Sequence, residues 1–257
     1  MSLGHNISIV TDGLIYMLDP GNKKCWDGTS TTIISLVNGA RNSLLNGPFG
    51  FDTTSYNAPV MAMNNGSLTT ATSTATISLV TPDLNQLALN SSITIMFAAK
   101  KNFYGLGGNQ NGNTEFMQGV NNGYGNGWRI SEGAQSPVQP VPGQVAFTGQ
   151  HYWAFEFTDL GGTVLGIPDS GSTTNRMCIC AGSFSPTSLI GFVNGTTAQT
   201  PNTRGYVAGP SQPYISFTSA GAGSFNGLFG FLMIYNRALS VDEITQNYNA
   251  LRGRYNL

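Results

Sequence analysis

The chain has 257 residues, a formal net charge of −1 and only 9% charged residues, against about 25% in ordinary soluble proteins. No basic cluster larger than Lys23–Lys24 is present, which excludes a phosphate-neutralising nucleic-acid footprint. No run approaches the roughly 18 apolar residues of a membrane helix. With 40% hydrophobic and 11% aromatic residues the chain can bury a sizeable core, and the composition is not that of a disordered protein, which joins high charge to few aromatics.

The elements follow in chain order. "MSLGHNISIVTDG" has no basic start and no long apolar stretch, so it is not read as a signal peptide. The Asn-x-Ser/Thr sequons at Asn6, Asn65, Asn90 and Asn194 then read as by-products of an Asn/Ser/Thr-rich chain, made in a reducing compartment. "GLIYMLD" (Gly13 to Asp19) reads as a strand between Asp-Gly and Asp-Pro-Gly-Asn turns, and "TTIISLVNG" as a second strand ending in Asn-Gly. "SLTTATSTATISLVTP" (Ser67 to Pro82) alternates β-branched residues. In "SSITIMFAAK", Ile93, Ile95 and Phe97 share one face, and Thr94 and Met96 the other. "HYWAFEFTD", "RMCICAG", "SLIGFVNGT", "PYISFTSAG" and "GLFGFLMIYN" complete the pattern. Roughly a dozen strands without intervening helices predict an antiparallel all-β sandwich or barrel.

Two stretches read as long loops within one domain spanning 1–257: 105–127, rich in Gly, Asn and Gln, and the Pro-rich 133–150. A helix is expected only at the end, over 240–252. Ser240 is its N-cap, Glu243 completes a capping box, and Leu239 with Ile244 forms a hydrophobic staple. Ile244, Tyr248 and Leu251 make the apolar stripe, Arg252 sits in the last turn, and Gly253 is the expected stop.

Catalytic signatures are sparse. Retaining glycosidases need two carboxylates about 5 Å apart, and E-x-D-x-x-E on one strand would supply them. Here Glu156-Phe-Thr-Asp159 is one residue too long and no third acid follows, so Glu156 is expected either at a strand edge or in a structural hydrogen bond. His5 and His151 are the only histidines, and H-E-x-x-H, G-x-S-x-G and P-loop patterns are absent. His151 reads as a surface or turn residue. "GYGNGW" (Gly123 to Trp128) reads as a tight glycine-rich hairpin. No cofactor or metal is expected: calcium at loop acids such as Asp12 or Asp169 lacks a D-x-D-x-D run. Cys178 and Cys180, two apart on a strand, point to one face. Together with Cys25 they are expected as buried thiols outside any disulfide.

Recognition is what remains. Sugar sites on β-sandwiches combine a stacking ring with amide or carboxylate hydrogen bonds. Tyr104, Phe116, Asn121, Asn122, Tyr124 and Trp128 offer that chemistry in and around 105–127, and the same residue types suit a protein–protein interface.

The start, "GLIYMLDPGNKKCWDGTSTTIISLVNG", and above all the end, "FNGLFGFLMIYNRALSVDEITQNYNALRGRY", resemble the concanavalin A-like lectin/glucanase (laminin-G-like) modules of bacteriophage virion proteins. The resemblance implies a jelly-roll sandwich whose first and last strands lie together, used for attachment or recognition and not hydrolysis. It departs at Gly230, where family members usually carry an acid, and in lacking the glucanase triad. The expectation is a non-enzymatic virion structural or accessory protein, in a head decoration or a tail, baseplate or fibre. It would be made in the host cytoplasm and placed on the virion surface, self-associating and bound to other virion proteins. An adhesin or lectin for host glycans is the alternative, and a glycoside hydrolase the weaker one.

Overall fold

The structure is a computed structural model that describes residues 8–37, 42–46, 49–63, 76–78, 92–101, 114–119, 127–134, 151–158, 164–168, 176–201 and 227–257. The predicted "PYISFTSAG" strand lies outside them. In chain order the strands are β1 (Leu14–Leu18), β2 (Thr32–Ile33), β3 (Ser43–Asn46), β4 (Phe49–Asp52), β5 (Val60–Met63), β6 (Thr76–Ser78), β7 (Ile93–Lys101) and β8 (Thr114–Gly119). They continue with β9 (Gly127–Ala134), β10 (His151–Thr158), β11 (Val164–Pro168), β12 (Cys178–Phe184), β13 (Ser188–Val193), β14 (Thr196–Pro201) and β15 (Gly227–Tyr235), and the helix α1 (Val241–Leu251) follows. The fold is the expected antiparallel β-sandwich of jelly-roll type with one short C-terminal helix.

The strand order β14-β13-β12-β7-β15-β5-β4, with β1 also on β15, makes an eight-stranded sheet. A four-stranded sheet (β11-β10-β9-β8) and a three-stranded one (β2-β3-β6) complete the sandwich. β15 lies at the centre of the large sheet. One edge pairs with β7 along its length. The other is shared: Gly227 to Phe229 pair with β5, and Leu232 to Tyr235 pair with β1. The first and last strands therefore lie side by side.

All nine residues of β15 and all seven of β12 are buried, because both faces of the large sheet are covered. Strands covered on both faces read as unbroken apolar runs, whatever their pairing direction. On the inner face, Ile95, Phe97, Cys178, Cys180, Leu232 and Ile234 pack with Trp153 and Ile130 of the four-stranded sheet and with Ile33, Leu45 and Ile77 of the small sheet. Phe97 and Trp153 meet edge to face, 5.1 Å between centroids. On the outer face, Met96, Ala98, Phe231, Met233 and Tyr235 pack against Leu239, Ile244, Leu251 and Tyr255. The parity read along β7 is thus correct, and a core lies on each side of it. All three cysteines are buried thiols outside any disulfide.

Several local expectations change. The strand expected from "TTIISLVNG" is only two residues long because the next peptide groups bond elsewhere: Ile34 N donates to the Cys25 carbonyl and Leu36 N to the Met17 carbonyl, each at 2.8 Å. The expected Asn38-Gly39 turn lies outside the described residues; Asn194-Gly195 closes the hairpin between β13 and β14. Both residues have positive φ, 46° and 93°, as a two-residue type I′ loop requires.

The helix begins as expected, with Ser240 and Glu243 closing a complete capping box. It does not stop at Gly253. A 3₁₀ turn continues over Arg252–Tyr255, and Asn256 takes the left-handed conformation with φ 60°. The reason is tertiary. Tyr255 is buried, Arg254 pairs bidentately with Asp19 at 2.7 and 2.9 Å, and the Arg254 carbonyl accepts from Ala58 N. Arg252 therefore caps α1 and is not in its last turn. The buried stripe also differs: Asn247, not Tyr248, joins Ile244 and Leu251.

Candidate recognition surfaces

Four of the residues singled out by sequence, Tyr104, Asn121, Asn122 and Tyr124, lie outside the described residues. Phe116 and Trp128 lie in strands, not in a loop: Thr114–Gly119 is β8, and Trp128 is the second residue of β9. β8 and β9 pair antiparallel, Gly119 opposite Trp128 and Met117 opposite Ile130. The register slips between Glu115 and Met117, so Phe116 is the extra residue of a β-bulge. Bulges twist a strand locally and re-aim the residue they add. Residues 116 and 128 thus flank the segment that carries Asn121, Asn122 and Tyr124. The stretch 105–127 is interrupted by β8, and 133–150 starts inside β9.

Glu156 is not at a sheet edge. It sits in β10, paired on one side with Val164 of β11 and on the other with Arg129 of β9. His151 is the first residue of β10, opposite Ala134. Asp159 and Asp169 lie outside the described residues. Asp12 stands 2.9 Å from Arg237 Nε. Among the described residues no group of His, Cys, Asp and Glu is arranged to hold a metal ion.

Gly230, the position of the missing acid, has a packing explanation. It falls where the β15–β7 register shifts, and a Cβ there would stand 2.7–2.8 Å from the Tyr255 ring and hydroxyl. The Tyr255 ring occupies the space an acidic side chain would need.

Two turns of like composition, outside the motifs singled out by sequence, are Trp26-Asp27-Gly28-Thr29-Ser30 and Phe51-Asp52-Thr53-Thr54-Ser55. In each, one carboxylate oxygen accepts from the amides two and three residues on, at 2.6–3.0 Å, and from the threonine hydroxyl two residues on. Asx turns of this kind form because a short carboxylate reaches its own backbone. Asp52 also accepts from the Ser55 hydroxyl. That bond, with the amide donors, lowers its carboxyl to about 2, while the Ser30 and Thr29 amides lower that of Asp27. The two turns meet through their aromatics, Trp26 buried and Phe51 exposed, with centroids 5.3 Å apart. The repeated aromatic-Asp-x-Thr-Ser was the available signal.

No protein-family model matches the chain, and no curated protein matches it by sequence. Solved structures do match in fold. Domain 4 of AbnA, a GH43 extracellular arabinanase from Geobacillus stearothermophilus solved in complex with arabinotriose, superposes with TM-score 0.58 at 12% identity. That match covers 91% of this chain and 97% of that one. The binding domain of botulinum neurotoxin DC in complex with SialylT matches with TM-score 0.60 at 12% identity, over 95% of this chain and 52% of that one. A mutant Trypanosoma rangeli sialidase displaying trans-sialidase activity matches with TM-score 0.56 at 13% identity, over 96% of this chain and 34% of that one. This chain thus spans about half of the toxin domain and a third of the sialidase, and nearly all of the arabinanase domain. At these identities the likeness establishes the fold, a β-sandwich of jelly-roll type.

Proposed function

We propose that the chain is a non-catalytic carbohydrate-recognition module. The observation that carries this reading is the full-length correspondence with a domain solved in complex with arabinotriose, in which nearly the whole of each chain is covered. The residue chemistry agrees. A surface poor in charge and rich in Asn, Thr and Ser suits hydroxyl recognition, and Phe116 and Trp128 flank a segment carrying Asn121, Asn122 and Tyr124. With Tyr104 these form the proposed contact surface. Binding is favoured over hydrolysis because Glu156 and Asp159 miss the spacing of a one-strand carboxylate set. A glycan array probed with the purified chain, with and without calcium, tests the reading: reproducible binding to one saccharide class is expected, and an empty array would remove it. Polysaccharide turnover abolished by Glu156→Gln would replace it with an enzyme.

A second reading mounts the module on the surface of a bacteriophage virion, bound to other virion proteins and to copies of itself. The pairing of β1 with β15 beneath a capped terminal helix favours it, being the arrangement that the resemblance to phage virion modules implies. Mass spectrometry of purified virions is expected to detect the chain, and its absence from them would end this reading.

A further inference from the structure

Phe51 is one of three large hydrophobic residues exposed among the described residues, at 37%. It is at the open edge of the large sheet, since β4 pairs only with β5. Its ring packs against a buried indole. Trp26 lies 5.3 Å away at a tilt of 40°, and its indole N–H is anchored to the Ser30 carbonyl at 2.8 Å. Gly28 brings bare backbone beside the same ring, so that a Cβ there would stand 3.7 Å from Cδ2. Next to Gly28, the exposed Asp27 engages its own turn through Oδ1, and among the described residues no side chain or amide donates to Oδ2. Thr29 donates its hydroxyl to that Oδ1, so its oxygen can accept from outside.

We propose that Phe51, Asp27, Gly28 and Thr29 form a saccharide subsite for one ring of a neutral glycan. It is carried by the large sheet and is separate from the β8–β9 surface. This rests on the carbohydrate-recognition reading. The aromatic face takes the apolar C–H face of the sugar, Asp27 Oδ2 accepts from its hydroxyls, and Gly28 lets the ring approach without a side chain in the way. Charge decides the class of ligand. None of the described cations is paired with Asp27, and its amide donors keep it ionised. An acidic sugar would be repelled, while a neutral sugar supplies the hydroxyl donors this carboxylate lacks. A protein partner would need about 800 Å² of contact, far more than one ring and one turn offer.

The test is calorimetric titration of the intact chain with a panel of neutral oligosaccharides, including arabinotriose, and of sialylated ones. Phe51→Ala and Asp27→Asn are compared with the parent. Asparagine can still accept the turn amides at Oδ1, so the Asp27 variant keeps the loop even where Phe51→Ala loosens it, and thermal melting checks both. The expected result is neutral-sugar binding weakened about tenfold by Phe51→Ala and several-fold by Asp27→Asn, with unchanged melting of the Asp27 variant. Unchanged affinity in both variants, or preference for the sialylated ligands, overturns the subsite while leaving the carbohydrate-recognition reading standing. Parent protein that binds no saccharide overturns both.

Discussion

Asn247 and Tyr235 hold the start of the chain between them. Asn247 Nδ2 donates to the Tyr235 hydroxyl at 3.0 Å, that hydroxyl donates to the Val10 carbonyl at 3.0 Å, and Val10 N donates to Asn247 Oδ1 at 2.7 Å. A fully buried amide on α1 and the phenol it donates to thereby satisfy both backbone groups of Val10, 237 positions before Asn247. Gln246 Nε2 adds a bond to the Ser8 carbonyl at 2.8 Å. Replacing Asn247 by alanine strands the half-buried Val10 amide and leaves the Tyr235 hydroxyl without its donor, though still donating to the Val10 carbonyl, at about 1–3 kcal/mol. Tyr235→Phe leaves the Asn247–Val10 bond and is expected to cost about 1 kcal/mol. Urea denaturation of both single variants and the double variant measures this, and simple additivity of the two losses would contradict a closed network.

Tyr255 and Gly230 make the opposite case, a contact of shape with an unsatisfied polar atom. The Tyr255 hydroxyl is buried with no hydrogen-bond partner among the described residues and rests where a Gly230 side chain would be. Gly230→Ala is expected to destabilise by about 2–3 kcal/mol through overpacking, and far less in a Tyr255→Leu background. Tyr255→Phe removes an unpaired buried hydroxyl and is expected to be neutral or stabilising by up to about 1 kcal/mol. Thermal melting of the parent and these four variants, Tyr255→Leu alone included, decides, and a clear loss of stability in Tyr255→Phe would show that the hydroxyl does have a partner.

Acid should loosen the helix cap. Glu243 lies 2.6 Å from Arg237 and also accepts from Ser240 N at 2.9 Å. The Arg237 hydrogen bonds, with that amide, bring its carboxyl from 4.5 down to about 2. The unfolded chain therefore binds the proton first, so this stabilisation is complete above pH 4.5 and is lost as pH falls from there towards 2. Because the Glu243 side chain is 31% exposed, screening limits the effect to about 1 kcal/mol. The difference in stability between the parent and Glu243→Gln should shrink across that window in acid titrations. A difference independent of pH would remove the assignment.

The thiols should be silent until the chain unfolds. Burial pushes the Cys25 thiol from 9.0 up to about 11, and its sulfur accepts from Asp19 N at 3.2 Å. Cys178 and Cys180 are buried on the inner face. A thiolate-specific reagent near neutral pH is expected to label none of the three in the native state and all three in denaturant. Rapid native labelling at any of them would contradict this packing.

What could be read from sequence divides along a physical line. Elements set by local chemistry were legible: the capping box at Ser240 and Glu243, the parity of Ile93, Ile95 and Phe97, and the shared face of Cys178 and Cys180. Elements set by tertiary pairing were not. β3, β4 and β5 are four residues each, too short for alternation to declare itself, and they exist because β15 and β6 supply partners. Asn247 is polar on a core face, which periodicity reads as surface. Gly253 lost its role as a stop because Tyr255 and Arg254 are held by distant residues. The interior place of Glu156 was not legible because its two partners, Arg129 of β9 and Val164 of β11, are set by strand pairing and not by local sequence. For the recognition surface, the aromatic and amide composition of 105–127 was visible, but β8 within it was hidden by flanking Gly and Asn. The kinship of "WDGTS" and "FDTTS" becomes apparent only when Trp26 meets Phe51.

The position of β15 governs the order in which the chain can assemble. Its neighbours are β1, β5 and β7, and the closing ion pair joins residues 235 positions apart. During synthesis every strand of the large sheet except its central one emerges first, so the flanking strands wait with unpaired edges until β15 arrives. Loop-closure entropy over such separations slows folding, and exposed edges in the interim invite association between chains. Chains truncated before Gly227 should therefore form aggregates and not a smaller sandwich, and full-length chains should refold slowly, with yields that fall as protein concentration rises.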